Sequence, residues 1–258
     1  MRICAAQYDI IWENKHDNML KCEAFFEKAS ALACDVIVFP ELSLTGFTLD
    51  TSFAEPSADS KTIDFFAESS KKYGIASVFG VAVCEDESYF NRLVAVDRCG
   101  SIIASYDKLH PFSIGNEPYK AGDNVCAFAL NDMCIGLAIC YDLRFPELFR
   151  KLSQKCGCII VSANWSGARK EHWLALLKAR AIENQCYIVG SNRVGNADTT
   201  YSGDSVIIAP DGKILACAEP FREELICADI SSEDVRQLRS RFPVMSDRRT
   251  DLYRNFYE

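Results

Sequence analysis

The chain has 258 residues, of which 49% are hydrophobic and 25% are charged, as in an ordinary globular protein. This composition excludes a chain that is disordered, collagen-like or coiled coil throughout, and a chain of this length can bury about three quarters of its unfolded surface. Lys and Arg number 28 against 36 Asp and Glu, so the formal net charge is -8 and nucleic acid is not an expected partner.

No membrane segment is predicted, because no apolar run approaches the length of about 20 residues that a membrane helix needs. The apolar start, from Met1 to Ile11, soon meets Glu13 and Lys15. It has neither the apolar core nor the cleavage site of a signal peptide. We therefore expect a cytoplasmic protein that does not bind a membrane.

The number of cysteines is odd, and most of the 13 lie inside apolar runs. Disulfide frameworks are typical of small secreted chains, so each cysteine is first interpreted as a small buried hydrophobic residue. Cys156 and Cys158 form a CxC pair, but no second Cys or His pair stands at zinc-ligand spacing. The sequence therefore predicts neither a metal site nor a cofactor.

Short apolar runs alternate with segments of helical periodicity along the first half of the chain. The tetrapeptide at 97–100 is typical of a hairpin turn, and a loop with proline and glycine follows at 111–123. The elements predicted here are, in chain order, a strand at 2–8, a helix at 18–33, a strand at 35–39, a helix at 62–73, and strands at 75–84, 90–96 and 101–107.

The second half of the chain repeats this rhythm. Its predicted elements are a strand at 133–139, a helix at 146–154, a strand at 158–163, a helix at 172–184, and strands at 186–191, 205–209, 214–218 and 225–230. The tail, residues 231–258, is predicted to begin with a helix capped by Ser232.

Each half thus runs strand, helix, strand, helix, strand and hairpin, with no linker between the halves. This pattern predicts one α/β domain over residues 1–258, built of two pseudo-symmetric sheets with helices outside. The apolar run from Val36 to Phe39 is typical of a strand that is buried on both faces. The tail is long for a closing helix, so we expect residues 231–258 to pack at a subunit interface.

A reactive side chain follows three of the predicted strands: Glu41, Lys108 and Cys140. Taken singly, these residues could be a turn cap, a solvated charge and a core cysteine. Open α/β sheets, however, place their ligands at such strand ends. A thiol becomes a nucleophile when a base takes its proton or a cation lowers its pKa. The carboxylate and the lysine could do this, and the ammonium could also stabilise an oxyanion.

Histidine, the usual base beside a catalytic thiol, is scarce in this sequence. There are three histidines, and His16 is predicted to lie in a polar loop near the N-terminus. His110 follows Lys108 by two residues and is interpreted as a structural hydrogen-bond partner, and His172 as a surface or interface residue.

The segments around these three residues are VIVFPELSLTGF for Glu41, YDKLHPF for Lys108 and GLAICYDLRFPELFR for Cys140. Together with AAQYDI near the N-terminus and GDSVIIAPDGKILA in the second half, they resemble the nitrilase, or carbon-nitrogen hydrolase, superfamily over nearly the whole chain. The resemblance implies an α-β-β-α four-layer sandwich. It also implies a Glu-Lys-Cys triad at these three positions.

The resemblance further implies a mechanism. Glu41 would act as the base for Cys140, whose thiolate would attack an amide carbonyl and form a thioester. Lys108 and the backbone N–H of Tyr141 would bind the oxyanion. Glu117, in the segment GNEPYKAGD, matches a second glutamate of the family that orients the lysine and the substrate; its alternative interpretation is an exposed loop charge.

Within the superfamily the sequence looks like the bacterial omega-amidases, because of CYDLRFPELFR and ANWSGARKEHWLALLKARAIENQCYIVGSNRVG. This resemblance implies hydrolysis of the terminal amide of a small substrate that carries a carboxylate, such as 2-oxoglutaramate or 2-oxosuccinamate. An arginine is the preferred partner of that carboxylate. The residues predicted to bind the substrate are Phe47, Tyr119, Arg144, Asn164 and Trp165.

The sequence departs from the omega-amidase pattern at Ser166, where a proline is common, at the HPF segment, and in a shorter loop before Tyr119. These changes leave alternatives open with the same triad. An N-carbamoyl-amine hydrolase, or an amidase acting on deaminated glutathione or another small amide, would fit. A non-catalytic or metal-binding cysteine-rich protein is a further alternative. Family habit and the long tail predict a homodimer.

Overall fold

The structure is a computed structural model that describes residues 1–112 and 118–253. In these residues the helices are α1 (Lys15–Ala31), α2 (Lys61–Tyr73), α3 (Pro146–Leu152), α4 (Lys170–Asn184), α5 (Ser232–Arg241) and α6 (Thr250–Tyr253). None of these helices is both long and apolar enough to cross a membrane.

The strands fall into two halves of the described chain. Those of the first half are β1 (Arg2–Gln7), β2 (Val36–Val38), β3 (Glu55–Pro56), β4 (Ala76–Glu85), β5 (Ser88–Val96) and β6 (Ile102–Asp107). Those of the second half are β7 (Ala127–Leu130), β8 (Met133–Ile139), β9 (Cys158–Ala163), β10 (Tyr187–Asn192), β11 (Val194–Asn196), β12 (Thr200–Ser202), β13 (Val206–Ile208), β14 (Ile214–Cys217) and β15 (Glu224–Asp229).

Two large sheets share one plan. In the first sheet the order is β15-β1-β2-β4-β5-β6, with β3 added beside β4. In the second sheet the order, read in the same sense, is β7-β8-β9-β10-β13-β14. Each sheet therefore has three central parallel strands, one antiparallel strand on one side and an antiparallel pair on the other. This repetition confirms the two pseudo-symmetric sheets expected from the sequence.

The buried side chains form layers that correspond to these sheets. One apolar cluster joins the inner faces of both sheets, with residues such as Ile3, Val38, Ile135 and Ile160. A second cluster packs the first sheet against α1 and α2, and a third packs the second sheet against α3 and α4. The order of layers is therefore helix, sheet, sheet, helix, and the predicted four-layer sandwich is confirmed.

Local signals in the sequence explain where the helices begin and end. Ser60 caps α2 through its side chain, which accepts a hydrogen bond from the backbone N–H of Ile63, and Gly74 ends this helix in the left-handed conformation. At α1 the cap is Asn14, which accepts from the N–H of Asp17. His16 therefore lies in a helix, and its assignment to a polar loop was wrong.

Two further differences concern the second half of the chain. The cap of α5 is Ser231, one residue before the predicted Ser232. Sequence analysis also missed β7 and the β11–β12 hairpin. Both strands of the hairpin are short and mostly polar, so they show no apolar run from which a strand could be predicted.

Gly80 in β4 lets the turn after β2 approach the sheet closely. Its carbonyl accepts a hydrogen bond from the N–H of Ser43 at 2.9 Å, and its N–H donates to the Oγ of Ser43 at 3.0 Å. A Cβ atom on Gly80 would lie 2.3 Å from the backbone nitrogen of Leu42 and 3.0 Å from the Cα of Glu41. Since the neighbours are backbone atoms, they cannot move aside as a side chain can.

The change Gly80→Ala should therefore displace the turn that carries Glu41. We expect a loss of about 1–3 kcal/mol in the free energy of unfolding, as for an overpacked core, together with reduced activity. Urea denaturation and an amide-hydrolysis assay measure the two effects. The matched control is Gly136→Ala in β8, where the new Cβ meets only the side chain of Leu152, at 3.1 Å. An equal loss in both variants would contradict the prediction.

Candidate active site

Three strand ends meet at one cavity between the sheets. Glu41 lies three residues after β2, Lys108 directly follows β6, and Cys140 directly follows β8. All three side chains line the cavity. Glu41 and Lys108 are each 1% exposed, so their charges are almost fully removed from water. The structure thus brings together the three residues that the sequence places far apart.

The Glu41 carboxylate is held from both sheets. Its Oε1 accepts hydrogen bonds from the Asn91 side chain at 2.7 Å and from the Lys108 ammonium at 3.1 Å. Its Oε2 accepts from the backbone N–H of Asn164 at 2.9 Å, and the Asn164 amide donates to the carbonyl of Glu41 at 2.5 Å. These hydrogen bonds come from the side chain of Asn91 on one side and from Asn164 on the other, so the orientation of the carboxylate is fixed.

Lys108 is anchored by its backbone as well as by its side chain. Its N–H donates to the carbonyl of Asn91 at 3.0 Å, and its own carbonyl accepts from Gly122 at 2.9 Å. The ammonium nitrogen lies 5.1 Å from the ring centroid of Phe47, within the range of a cation–π contact. Asn91, which sequence analysis did not single out, therefore positions both the carboxylate and the lysine.

Cys140 has a strained backbone, with a φ angle of 43° in the left-handed region. The residue lies at a sharp bend where β8 passes into a 3₁₀ turn over Cys140–Arg144. Such strain in a non-glycine residue costs of order 1–3 kcal/mol and persists only where the surrounding structure imposes it. The bend turns the thiol out of the sheet and toward the cavity.

Asp142 braces this bend from below. It is fully buried, and its Oδ2 accepts from the Tyr106 hydroxyl at 2.8 Å and from the N–H of Ile139 at 2.9 Å. Its Oδ1 lies 2.7 Å from the Nδ1 of His110 and accepts from the His110 N–H at 3.0 Å. The position of His110 agrees with the structural role expected for it.

The electrostatics of the cavity act on the Cys140 thiol in opposite directions. Burial raises the pKa of Cys140 well above its usual range, and the negative charge of Glu41 adds to this effect. The Lys108 ammonium and the backbone N–H of Asn164 lower the same pKa. The resting thiol is therefore protonated at neutral pH, and it needs a base to become a nucleophile.

Most residues predicted to bind the substrate line the cavity, namely Phe47, Arg144, Asn164 and Trp165, and Tyr141 does so too. Tyr119 is not among the described residues of the cavity lining. It packs beside Phe47, and its hydroxyl donates to the carbonyl of Thr48 at 2.9 Å. Glu117 lies outside the described residues.

The cavity lining also contains residues that were not predicted to bind the substrate, namely Phe112, Ser166, Arg169, Asp198, Thr199 and Tyr201. Phe112 and Ser166 belong to segments where the sequence departs from the omega-amidase pattern, whereas Asp198, Thr199 and Tyr201 were missed by sequence analysis. Residues 198–201 come from the turn and second strand of the β11–β12 hairpin, which was itself not predicted. The Tyr201 ring lies 4.6 Å from the buried guanidinium of Arg193, which makes an ion pair with Asp9 at 3.1 Å. The sequence signal that could have indicated this part of the lining was the aromatic ring of Tyr201 inside a polar segment.

The arginines divide between structural and cavity positions. Arg180 makes an ion pair with Glu183 at 2.9 Å, which is a structural contact. Arg144 instead lies over the rings of Trp165 and Tyr141, with its guanidinium carbon 4.7 and 5.9 Å from the two centroids. It therefore presents a positive charge at the cavity.

Comparisons with known proteins agree with this fold. The sequence profile of the carbon-nitrogen hydrolase family matches residues 2–240. A protein named 2-oxoglutaramate amidase from Bacillus subtilis (strain 168) is 38% identical, over 97% of this chain and 98% of the relative. Omega-amidase YafV from Escherichia coli (strain K12) is 33% identical, over 96% of each chain.

A solved structure has the same fold as this chain. The crystal structure of XC1258 from Xanthomonas campestris, described as a CN-hydrolase superfamily protein with an arsenic adduct in the active site, superposes with a TM-score of 0.91. It is 30% identical, and 97% of each chain is covered. The chain therefore belongs to the carbon-nitrogen hydrolase family, within the nitrilase superfamily. It is an amide-hydrolysing enzyme of that family.

The opposing charges predict how the Cys140 pKa responds to substitution. Glu41→Gln removes a charge that raises this pKa, so the pKa should fall. Lys108→Met removes a charge that lowers it, so the pKa should rise. The rate of iodoacetamide alkylation at Cys140, followed against pH by peptide mass spectrometry, reports the thiolate. The Cys134 peptide of the same samples is the internal control and should not change. Shifts of the same sign in both variants would contradict the assignment.

Proposed function

We propose that this enzyme is an omega-amidase that hydrolyses the terminal amide of a small carboxylate-bearing substrate, such as 2-oxoglutaramate or 2-oxosuccinamate, to the acid and ammonia. The observation that carries the proposal is the buried contact among Glu41, Lys108 and the Cys140 thiol in one cavity. The names of the relatives from Bacillus subtilis and Escherichia coli support the choice of substrate.

In the first step Glu41 takes the proton of the Cys140 thiol. The sulfur attacks the amide carbon, and the electron pair of the C=O bond moves to the oxygen. Because the thiol is neutral at rest, proton transfer and attack must be coupled, and Glu41 lies in contact with the thiol for this purpose.

The developing oxyanion needs donors that are already in place. We assign these to the Lys108 ammonium and to the backbone N–H of Tyr141. Tyr141 lies in the first turn of the 3₁₀ segment that begins at Cys140, where N–H groups have no partner within the helix. Lys108 is held by the buried ion pair with Glu41, and the Tyr141 N–H belongs to the backbone of the bend at Cys140, so both donors are in place before the reaction.

Collapse of the tetrahedral intermediate breaks the C–N bond. Glu41, now protonated, gives its proton to the leaving nitrogen, and ammonia departs. A water molecule then gives a proton to Glu41 and attacks the thioester, and the acid leaves as the C–S bond breaks. The proton on Glu41 returns to the sulfur, which restores the starting state. We further propose that Glu117 orients Lys108 and the substrate.

The carboxylate of the substrate requires a cationic partner at the rim. Arg144 lies over Trp165 and Tyr141, and Arg169 lies with its guanidinium carbon 5.9 Å from the ring centroid of Phe112. Stacking on aromatic rings orients each guanidinium while its N–H groups stay available for bidentate contact. We propose that Arg144 binds the carboxylate and that Arg169 adds to the positive field. Phe47, Asn164 and Trp165 would shape the remaining contacts.

The proposed function predicts a specific activity. The purified protein should release ammonia from 2-oxoglutaramate, and Cys140→Ala should abolish the release, because it removes the nucleophile. A coupled ammonia assay measures this, with carbon dioxide followed in parallel. Carbon dioxide together with ammonia from a carbamoyl substrate, and no ammonia from 2-oxoglutaramate, would assign the enzyme to the carbamoyl-hydrolysing alternative instead.

A further prediction distinguishes the role of Arg144 from that of Arg169. Loss of a hydrogen bond to a charged group costs about 1.5–3 kcal/mol, which is roughly a 10- to 100-fold rise in KM. Arg144→Met should show this rise for 2-oxoglutaramate but leave KM for an uncharged amide of similar length almost unchanged. Arg169→Met is the matched control and should have the smaller effect. If the charged and uncharged substrates suffer equally in Arg144→Met, the carboxylate does not bind there.

We also propose a cytoplasmic homodimer. All 13 cysteines are free, as expected of a protein in a reducing compartment. Cell fractionation can test the cytoplasmic location. Part of the tail packs on its own subunit, since Arg239 donates to the carbonyls of Cys156 and Gln185. Phe242 and Leu252 remain exposed and suit a contact with a second copy. Light scattering at micromolar concentration should give the mass of a dimer; a monomer mass would overturn this assignment.

A further inference from the structure

Three thiols converge on the outer face of the first sheet, away from the active-site cavity. Cys4 in β1 and Cys227 in β15 are directly opposite each other in the antiparallel pair. Cys34 lies in the turn between α1 and β2. The three sulfur atoms all lie within 4.8 Å of one another, and those of Cys34 and Cys227 are 3.7 Å apart. None of these residues lines the cavity that contains Cys140.

This spacing fits a soft cation at the centre of the cluster. With metal–sulfur bonds of about 2.3 Å, two sulfurs of a tetrahedral zinc site lie about 3.8 Å apart. The separation of the Cys34 and Cys227 sulfurs matches that value without movement of the backbone. Thiolates are the ligands that soft cations prefer, and oxygen-loving ions such as Mg²⁺ do not compete for them.

A positive charge lies near the cluster, since the Arg2 guanidinium acts on both Cys34 and Cys227. Three thiolates around a divalent cation carry a net charge of -1, which the positive charge of Arg2 can offset. Because metal ligation requires deprotonated thiols, the cation itself must displace the protons of these cysteines.

Access to the cluster comes from one side. Cys4 and Cys34 are buried, whereas Cys227 is half-buried. A cation entering beside Cys227 would meet three protein ligands and keep one position open to water. Because the three residues come from the first strand, the last strand and the α1–β2 turn, a bound cation would join segments that are far apart in the chain.

We propose that Cys4, Cys34 and Cys227 form a binding site for one soft divalent d¹⁰ cation, such as Zn²⁺ or Cd²⁺. Each thiol releases its proton on coordination, and the three sulfurs donate their electron pairs to the cation without any change of oxidation state. The cation binds the preformed site of the folded chain more tightly than it binds the unfolded chain, so it stabilises the sandwich at the edge where β1 and β15 meet.

The test uses Cd²⁺ and the Cys140→Ala protein in reducing buffer, so that the active-site thiol does not contribute. Titration should show the ultraviolet charge-transfer band of cadmium thiolates saturating at one tight equivalent per chain. Cys34→Ala and Cys227→Ala should each weaken this binding at least about 100-fold. Loss of a residue that only hydrogen-bonds to a metal ligand costs about 10- to 100-fold, and loss of a ligand itself should cost more. The melting temperature should rise with Cd²⁺ in the parent and not in these variants.

The matched control is Cys134→Ala. The Cys134 and Cys156 sulfurs lie 3.4 Å apart on the second sheet, but no third ligand of the described residues joins this pair. This variant should keep the tight Cd²⁺ equivalent. Folding of the Cys227→Ala chain is checked by its amide hydrolysis when Cys140 is retained. The proposal is overturned if no tight equivalent binds, or if it persists in both Cys34→Ala and Cys227→Ala.

Discussion

The buried ion pair between Glu41 and Lys108 is the constraint on which the site depends. Removing two charges from water is costly, and the cost is offset only if each charge is fully hydrogen-bonded. Asn91 contributes to this by donating a side-chain hydrogen bond to the carboxylate, and its carbonyl accepts the backbone N–H of Lys108 and so positions the lysine. Asn164 does so from the other sheet. The two sheets must therefore pack in one relative position, because residues of both sheets donate hydrogen bonds to the ion pair.

Close to this pair the backbone is strained at Cys140, the proposed nucleophile. The left-handed Cys140 is held by the buried Asp142, which binds Ile139 before the bend, Tyr106 of β6 and His110 in the segment after β6. Asp142 and Tyr106 are almost fully buried, so the hydrogen bond between them is stronger than it would be at the surface. A thiol kept protonated beside an ionised carboxylate is then ready for coupled proton transfer and attack.

The same functional group lies in a different setting elsewhere in the molecule. At Cys140 a neighbouring carboxylate raises the pKa of the thiol. On the outer face of the first sheet the sulfurs of Cys4, Cys34 and Cys227 instead lie within 4.8 Å of one another. A single carbon-nitrogen hydrolase fold thus contains one thiol suited to attack carbon and a separate group of thiols suited to bind a soft cation. Composition alone cannot separate these cases, because the distinction lies in the neighbours that the fold supplies.

The sequence by itself determined the layers, the repeated halves and the three strand ends that carry Glu41, Lys108 and Cys140. These features depend on local apolar periodicity and on motifs that are contiguous in the chain. Only the tertiary structure decided the contacts of Asn91, the rim at residues 198–201 and the meeting of Cys4 with Cys227. These contacts join residues that are distant in sequence, and a hydrogen bond or a shared cavity between such residues leaves no periodic signal. The positions of reactive groups along the chain are therefore local information, whereas their partners are set by how the two sheets pack.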